Sequence, residues 1–213
     1  MSHPSDARVD IVHPLIRDHL EALAGERDPL LQALEERAEE RGFPLIGRHP
    51  GQVVELLARS VGAKRVFELG SGFGYSAFFF ARAGCEVVCT EHDQHELDDH
   101  DRIWAGHPWK ARVRYLMGDA LAHFEADAGP YDVVLIDINK VGYPRAWELA
   151  MERVRSGGLV LADNVLWGGK VAHAATDPST EALQAYMRRA GEDARAHTVV
   201  LPVGDGLAVS LRL

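Results

Sequence analysis

The stretch R-V-F-E-L-G-S-G-F-G-Y-S-A, from Arg65 to Ala77, constrains the fold more than any other part of the chain. Val66, Phe67 and Leu69 read as a short buried strand, which Gly70, Gly72 and Gly74 turn directly into a helix. Glycine adopts positive φ and lets a ligand reach the backbone, while a helix start leaves N–H groups unpaired, so the joint forms a cradle. Glu68 sits just ahead of the glycines, where a pyrophosphate would meet a negative charge. A carboxylate there suits a ligand carrying positive charge, such as the amino-acid end of S-adenosylmethionine. The spacing is G-x-G-x-G, whereas the G-x-G-x-x-G of dinucleotide folds would need glycine at Tyr75. A tight strand–helix joint with no ligand is the plain alternative.

A chain of 213 residues suits one domain with a substantial core. Its net charge of −9 argues against non-specific nucleic-acid binding, which runs on Lys and Arg neutralising phosphates. No apolar run nears the roughly 20 residues needed to span a bilayer, and no apolar segment follows Met1-Ser2-His3-Pro4, so the expectation is a soluble, cytoplasmic protein with no membrane partner. The two cysteines, Cys85 and Cys89, flank a predicted strand and read as buried reduced thiols.

Residues 1–27 form an arm with helical spacing at Leu15, Ile16, Leu20 and Leu23. Asp28-Pro29 reads as an N-cap followed by a first-turn proline, and Gly42 closes that helix. Its glutamates Glu35, Glu36, Glu39 and Glu40 read as a solvated face. A loop over 42–51, of a kind that folds over cofactors, leads to a helix with Val53, Val54, Leu57 and Val61 inward. Strands are then predicted at 65–69, 86–90, 112–117, 131–137 and 158–163, with helices at 75–83, 94–105, 119–127 and 144–155. Continuous apolar runs such as V-V-L-I suit a parallel sheet covered on both faces. A helix near 179–191 precedes strands at 196–203 and 207–213, joined by Gly204-Asp205-Gly206 as an antiparallel hairpin. The predicted architecture is α/β: a mostly parallel, doubly wound sheet of seven strands with a reversed C-terminal pair.

Ligands of open parallel sheets gather at the carboxyl ends of the strands. There the first strand carries Glu68 and the glycines. The second ends at Glu91, about 20 residues past the glycine turn, where an acid binds ribose hydroxyls. The third ends at Gly118-Asp119-Ala120, beside an expected adenine, although Asp119 also reads as a helix cap. The fourth ends I-D-I-N-K, with Asp137, Asn139 and Lys140, and the fifth ends A-D-N, with Asp163 and Asn164. Asp137, Asp163 and Asn164 are three hard oxygen donors without thiolate or imidazole, a set for Mg²⁺, or Ca²⁺ or Mn²⁺, rather than zinc. The plain alternatives are a turn at Asp163-Asn164 and a solvated Lys140. His92, His95, His100 and His107 read as decoration of a solvated helix.

Six stretches together carry a specific resemblance: E-L-G-S-G-F-G-Y-S at 68–76, T-E-H-D at 90–93, G-D-A at 118–120, D-V-V-L-I-D-I-N-K-V-G-Y-P at 132–144, G-G-L-V-L-A-D-N-V-L-W-G-G-K-V at 157–171 and L-P-V-G-D-G-L at 201–207. Residues 45–213 resemble the cation-dependent O-methyltransferases, the family of catechol and caffeoyl-CoA O-methyltransferases and their bacterial relatives. The resemblance implies a Rossmann-like methyltransferase with its cofactor- and metal-binding core at 45–213, and the chain's size makes 1–213 a single domain with a helical arm at 1–44. The resemblance, which leaves the arm unmatched, implies that Glu68, Gly70, Ser71, Ser76, Glu91, Asp119, Ala120 and Asp137 line an S-adenosylmethionine site. It further implies a divalent ion on Asp137, Asp163 and Asn164, Lys140 as general base, and Tyr143 and Trp167 flanking the substrate ring. Ile138-Asn139 departs from the family's usual Ala-Asp before the lysine.

The expected activity is methyl transfer to a hydroxyl of a catechol-type phenol, with a homodimer as the expected assembly. A tRNA hydroxyuridine O-methyltransferase keeps the chemistry with another substrate, and a basic stripe beside the metal would favour it. A dinucleotide-dependent oxidoreductase is disfavoured by Glu68 and the glycine spacing, and a non-catalytic ligand-binding module by the intact donor positions.

Overall fold

The computed structural model describes residues 9–25 and 28–213; residues 1–8 and 26–27 of the expected arm lie outside the described residues. Helices α1 (Pro14–Ala24), α2 (Pro29–Arg41) and α3 (Arg48–Ser60) precede the sheet. Helix α2 begins as its sequence dictates: the Asp28 side chain accepts the Leu30 N–H, and Gly42 ends it at φ 61°. From β1 (Arg65–Leu69) the chain alternates through α4 (Tyr75–Arg82), β2 (Glu86–Glu91), α5 (Gln94–Ile103), β3 (Val113–Met117), α6 (Ala120–Ala126), β4 (Tyr131–Ile136), α7 (Tyr143–Arg153), β5 (Val154–Ala162) and α8 (Pro178–Glu192). It finishes in β6 (Ala196–Leu201) and β7 (Leu207–Arg212).

The seven strands lie in the order β3-β2-β1-β4-β5-β7-β6. The first five are parallel; β7 runs antiparallel to β5, and β6 antiparallel to β7. Successive side chains of a strand point to opposite faces, and here both faces are apolar. Val66, Val133, Leu135 and Leu161 pack under α2, α3 and α4 with Leu31, Val54 and Phe79. Phe67, Val134, Ile136 and Val160 pack against α6, α7 and α8 with Phe124, Trp147 and Leu183. The fold is therefore the expected Rossmann-like α/β sheet, and both cysteines are buried and free.

Three local expectations are corrected. Helix α7 stops at Arg153, and β5 starts at Val154 rather than near 158, with a register shift against β4 between Tyr131 and Val133. Gly157, at φ 74°, and Gly158, where an added Cβ would stand 2.6 Å from the Asp132 carbonyl oxygen, permit that irregular start. Helix α5 is not merely solvated: Glu96, Asp99 and His100 are buried. Arg41 of α2 holds Glu96 at 2.8 Å and Asp99 at 2.9 Å, and Arg37 holds Asp99 at 2.8 Å. His100 lies between Trp104 and Tyr115, and burial lowers its pKa to about 4. Glu35 likewise leaves the expected solvated face, pairing with Arg48 and accepting from the Tyr75 hydroxyl at 3.0 Å.

Strands β2 and β4 lie on either side of β1, so the chain leaves β1 in one direction and returns on the other, the switch point where open sheets bind ligands. The two strand ends are pinched together there. Asp137 donates its N–H to the Leu69 carbonyl at 2.9 Å, and an added Cβ on Gly70 would stand 2.2 Å from the Asp137 carbonyl oxygen. Only glycine fits at position 70.

Candidate active site

A cavity of about 660 Å³ opens over the carboxyl ends of β1, β2, β3 and β4. Its floor is the glycine turn: Gly70, Gly72 and Gly74 all have positive φ. Glu91 reaches under the turn, where its carboxylate accepts the Gly72 N–H at 3.0 Å and the N–H groups of His92 and Asp93 at 2.7 and 3.0 Å. Ser71, Ser76, Asp119, Ala120 and Asp137 line the same space. Asp119 both lines the cavity and caps α6 by accepting the Ala122 N–H at 2.7 Å, so the two readings of this residue are compatible.

Glu68 is a correction. It is wholly buried and lies beneath the cavity rather than on its wall. Its carboxyl accepts from the Ser76 hydroxyl and from the Cys89 thiol. Burial, reinforced by the charge of Asp137 and opposed by the serine and thiol donors, raises its pKa to about 7. Its local role is to hold Ser76, at the start of α4, against β1.

A second cavity, of about 530 Å³, adjoins the first, and Leu45, Ile46, Asp163 and Asn164 line both. Its other walls come from far apart in the chain: Val9 to Val12 and α1, the start of α3, and the 202–205 turn. Glu21 of α1 supplies the cap that Gly47 lacks, accepting the Arg48 N–H at 2.9 Å and the His49 N–H at 3.3 Å. Val9 donates to the Gly168 carbonyl at 2.8 Å, and Asp205 accepts the Gly168 N–H at 2.7 Å.

Lys140 lies behind the wall that the two cavities share, bonded to Asn164. Its ammonium donates to Asp137 at 3.2 Å, Asn164 at 2.9 Å and the Tyr143 hydroxyl at 2.6 Å, and lies 5.7 Å from the Trp167 ring centroid. It is buried rather than solvated. Asn164 sits at φ 58°; its amide oxygen accepts from Lys140 while its amide N–H donates to the Asp163 carboxylate at 3.0 Å. Burial pushes both carboxyls above their usual range, the charge of Asp137 adds to the rise at Asp163, and Lys140 opposes it at both. Asp137 keeps 33% of its side chain open, so cavity water tempers its shift. Among the described residues no group of three or more His, Cys, Asp or Glu is gathered for a metal; the donor set here is two carboxylates and one amide.

Tyr143 is the second correction. It does not flank a substrate space but is fully buried beneath Lys140, donating to the Asp163 carbonyl at 2.9 Å. Trp167, at φ 53°, lies above Lys140 in a partly buried position. Two contributors carried no local signal. The Thr90 hydroxyl accepts the Gly70 N–H and donates to the Glu68 carbonyl, both at 3.1 Å, stitching β2 to the glycine turn. Phe43 covers Gly72 so closely that an added Cβ would stand 2.7 Å from its ring, and it packs on Phe73 at 5.0 Å. The 42–51 loop was a candidate cover, but Phe43, Pro44, Leu45 and Ile46 as cavity wall follow only from the fold.

Comparison with known proteins gives concordant results. A family model described as O-methyltransferase matches residues 22–213. A Dictyostelium discoideum protein named "Probable caffeoyl-CoA O-methyltransferase 2" is 30% identical over 210 residues, covering 92% of this chain and 89% of its own. A Niastella koreensis protein named "Catechol O-methyltransferase" is 29% identical, with 91% and 95% covered. In structure, an O-methyltransferase from Bacillus cereus in complex with SAH superposes with a TM-score of 0.84 at 21% identity, covering 93% of this chain and 97% of that one.

Proposed function

This chain belongs to the O-methyltransferase family, and from that premise we propose that it moves the methyl group of S-adenosylmethionine to one hydroxyl of a catechol-type small molecule, with the help of a divalent cation. The observation that carries the reading is the meeting of two cavities at Asp163 and Asn164, with Lys140 beside the junction. One cavity has the glycine floor and acidic rim of a nucleoside-type site. The other mixes apolar residues such as Val12, Leu20, Leu45 and Ile46 with charged ones such as Asp10, Arg17 and Glu21.

S-adenosylmethionine, when bound, supplies a methyl group on a positively charged sulfur that leaves as a neutral thioether. In this reading the turn at Gly70, Ser71 and Gly72 lies against its amino-acid end, Glu91 accepts its ribose hydroxyls, and Asp119 and Ala120 border its base. Glu68 acts from below, through Ser76.

The residues present suit an oxygen-seeking cation. Asp137, Asp163 and Asn164 are hard oxygen donors, and the buried Asp163 carboxyl, pushed up by burial and by the charge of Asp137 beside it, is one that added positive charge relieves. Asp137, Asp163 and Asn164 would hold it. A divalent cation, when bound, acidifies a hydroxyl and draws two neighbouring oxygens to one place, which selects vicinal diols. Lys140 then takes the proton that the hydroxyl gives up, and the walls at Leu45 and Ile46 fix the acceptor oxygen relative to the methyl group. The names borne by the two relatives support an acceptor of this class.

The test is a methyl-transfer screen of catechols, flavonoids, caffeoyl esters and unmodified tRNA with the purified protein. Transfer to catechols or caffeoyl esters supports the reading, whereas transfer to tRNA alone moves the function to nucleic-acid modification.

A further inference from the structure

A carbonyl oxygen is the negative end of its peptide, and one aimed into a site repels a carboxylate there. The turn over 70–74 keeps three such oxygens occupied. The Ser71 carbonyl accepts the Gly74 N–H at 3.0 Å, a bond made within the turn. The next two are held by side chains from elsewhere. The Tyr115 hydroxyl of β3 donates to the Gly72 carbonyl at 3.1 Å, and the Trp104 indole, just past the end of α5, donates to the Phe73 carbonyl at 3.2 Å. Tyr115 has one proton to give, and the Gly72 carbonyl is its nearer acceptor; the Ser71 hydroxyl, at 3.4 Å, can donate in return. The two donors meet beneath Gly74, where an added Cβ would stand 3.1 Å from the Tyr115 oxygen and 3.1 Å from the Trp104 nitrogen. Trp104 is fully buried, and neither residue lines either of the cavities described above.

We infer that Tyr115 and Trp104 are positioning residues for the cofactor: they hold the Gly72 and Phe73 carbonyls against the buried layer, so that the turn aims neither oxygen at the carboxylate of a bound amino-acid end. This rests on the reading that the turn lies against the amino-acid end of S-adenosylmethionine. Glycine leaves a chain free to turn its peptides over, so the hold must come from outside the turn. The donors themselves are fixed: the His100 ring lies 4.4 Å from that of Tyr115 and 5.1 Å from that of Trp104, between the two. Glu91 secures the same Gly72 from its other side, accepting its N–H at 3.0 Å.

The experiment compares two ligands by calorimetry. S-adenosylhomocysteine carries the amino-acid end; methylthioadenosine keeps the nucleoside and the thioether and lacks that end. Tyr115→Phe keeps the ring against His100 and loses the hydroxyl. In this variant the Kd of S-adenosylhomocysteine should rise by about 5-fold or more, while that of methylthioadenosine moves no more than about twofold. Replacing Trp104 with benzothienylalanine, which keeps the bicyclic shape and lacks the N–H, should give the same split. An equal rise for both ligands would mark a general loosening of the site and overturn the inference, as would unchanged affinity for both. If Tyr115→Phe melts early, the Trp104 replacement decides by the same criteria. Wild-type protein that binds no S-adenosylhomocysteine would remove the cofactor reading itself, and the inference with it.

Discussion

Buried beneath the glycine turn, Glu68 has a pKa raised from 4.5 to about 7, chiefly by loss of water. Below pH 4.5 the folded and unfolded chains both carry the proton. Between 4.5 and 7 only the folded chain does, so this group's stabilisation is full at low pH and is lost as pH rises through about 7. Each pH unit of displacement corresponds to about 1.4 kcal/mol, so the loss is on the order of 3 kcal/mol. Glu68→Gln keeps an acceptor for Ser76 and cannot ionise. Denaturant melts from pH 4.5 to 8 should therefore show wild type losing stability relative to Glu68→Gln across that window; parallel curves would contradict the assigned burial. At this scale the sequence was read well where a residue's meaning is local. Glu91, Asp119, Asp137, Asp163 and Asn164 each end a strand, and a strand's end is legible from its own apolar run. The burial of Tyr143 has no local mark: it lies one turn past Lys140, and neither spacing nor composition reveals which way a short turn rolls a ring. Thr90 and Phe43 act through tertiary packing and have no local mark.

Helix α3 depends on a residue outside itself. Gly47 offers no side chain to its first N–H groups, and the Glu21 carboxylate, carried by α1, accepts those of Arg48 and His49. The Gln52 amide donates to the Ala24 carbonyl at 2.6 Å, so α1 is fastened to α3 twice. Lost caps cost about 1 kcal/mol, and Glu21→Ala should lower stability by that order. Because Glu21 also lines the second cavity, acceptor KM should rise while cofactor Kd stays constant; calorimetry and steady-state kinetics separate the two. A change in cofactor Kd with constant acceptor KM would contradict the assignment of the cavities. Helices α2 and α4 and strand β1 were read almost to the residue, since each carries its own caps, glycines or apolar run. The duties of α1 and α5 were not legible. The bonds that define them, Glu21 to Arg48 and Arg41 to Asp99, join residues far apart in the chain.

Across the whole molecule, the parallel sheet and the reversed C-terminal pair are legible in the alternation of apolar runs and in Gly204-Asp205-Gly206, whereas the switch point needs the strand order. Among the described residues, no helix is long and apolar enough to cross a membrane. Invisible in one dimension was the second cavity, since its walls come from the arm, the 42–51 loop, the end of β5 and the last turn. Only their convergence puts Asp163 and Asn164 on both sides of one junction. That junction is the proposed cation-dependent methyl-transfer site. The direct measurement is methyl transfer to a catechol by protein freed of metal, followed as Mg²⁺ is added back. The account predicts no transfer without the ion, recovery as it is added, and no recovery in Asp163→Ala, which should still bind S-adenosylmethionine with a Kd within about threefold of wild type. Full-rate transfer in excess chelator, from protein shown by elemental analysis to be metal-free, would contradict it.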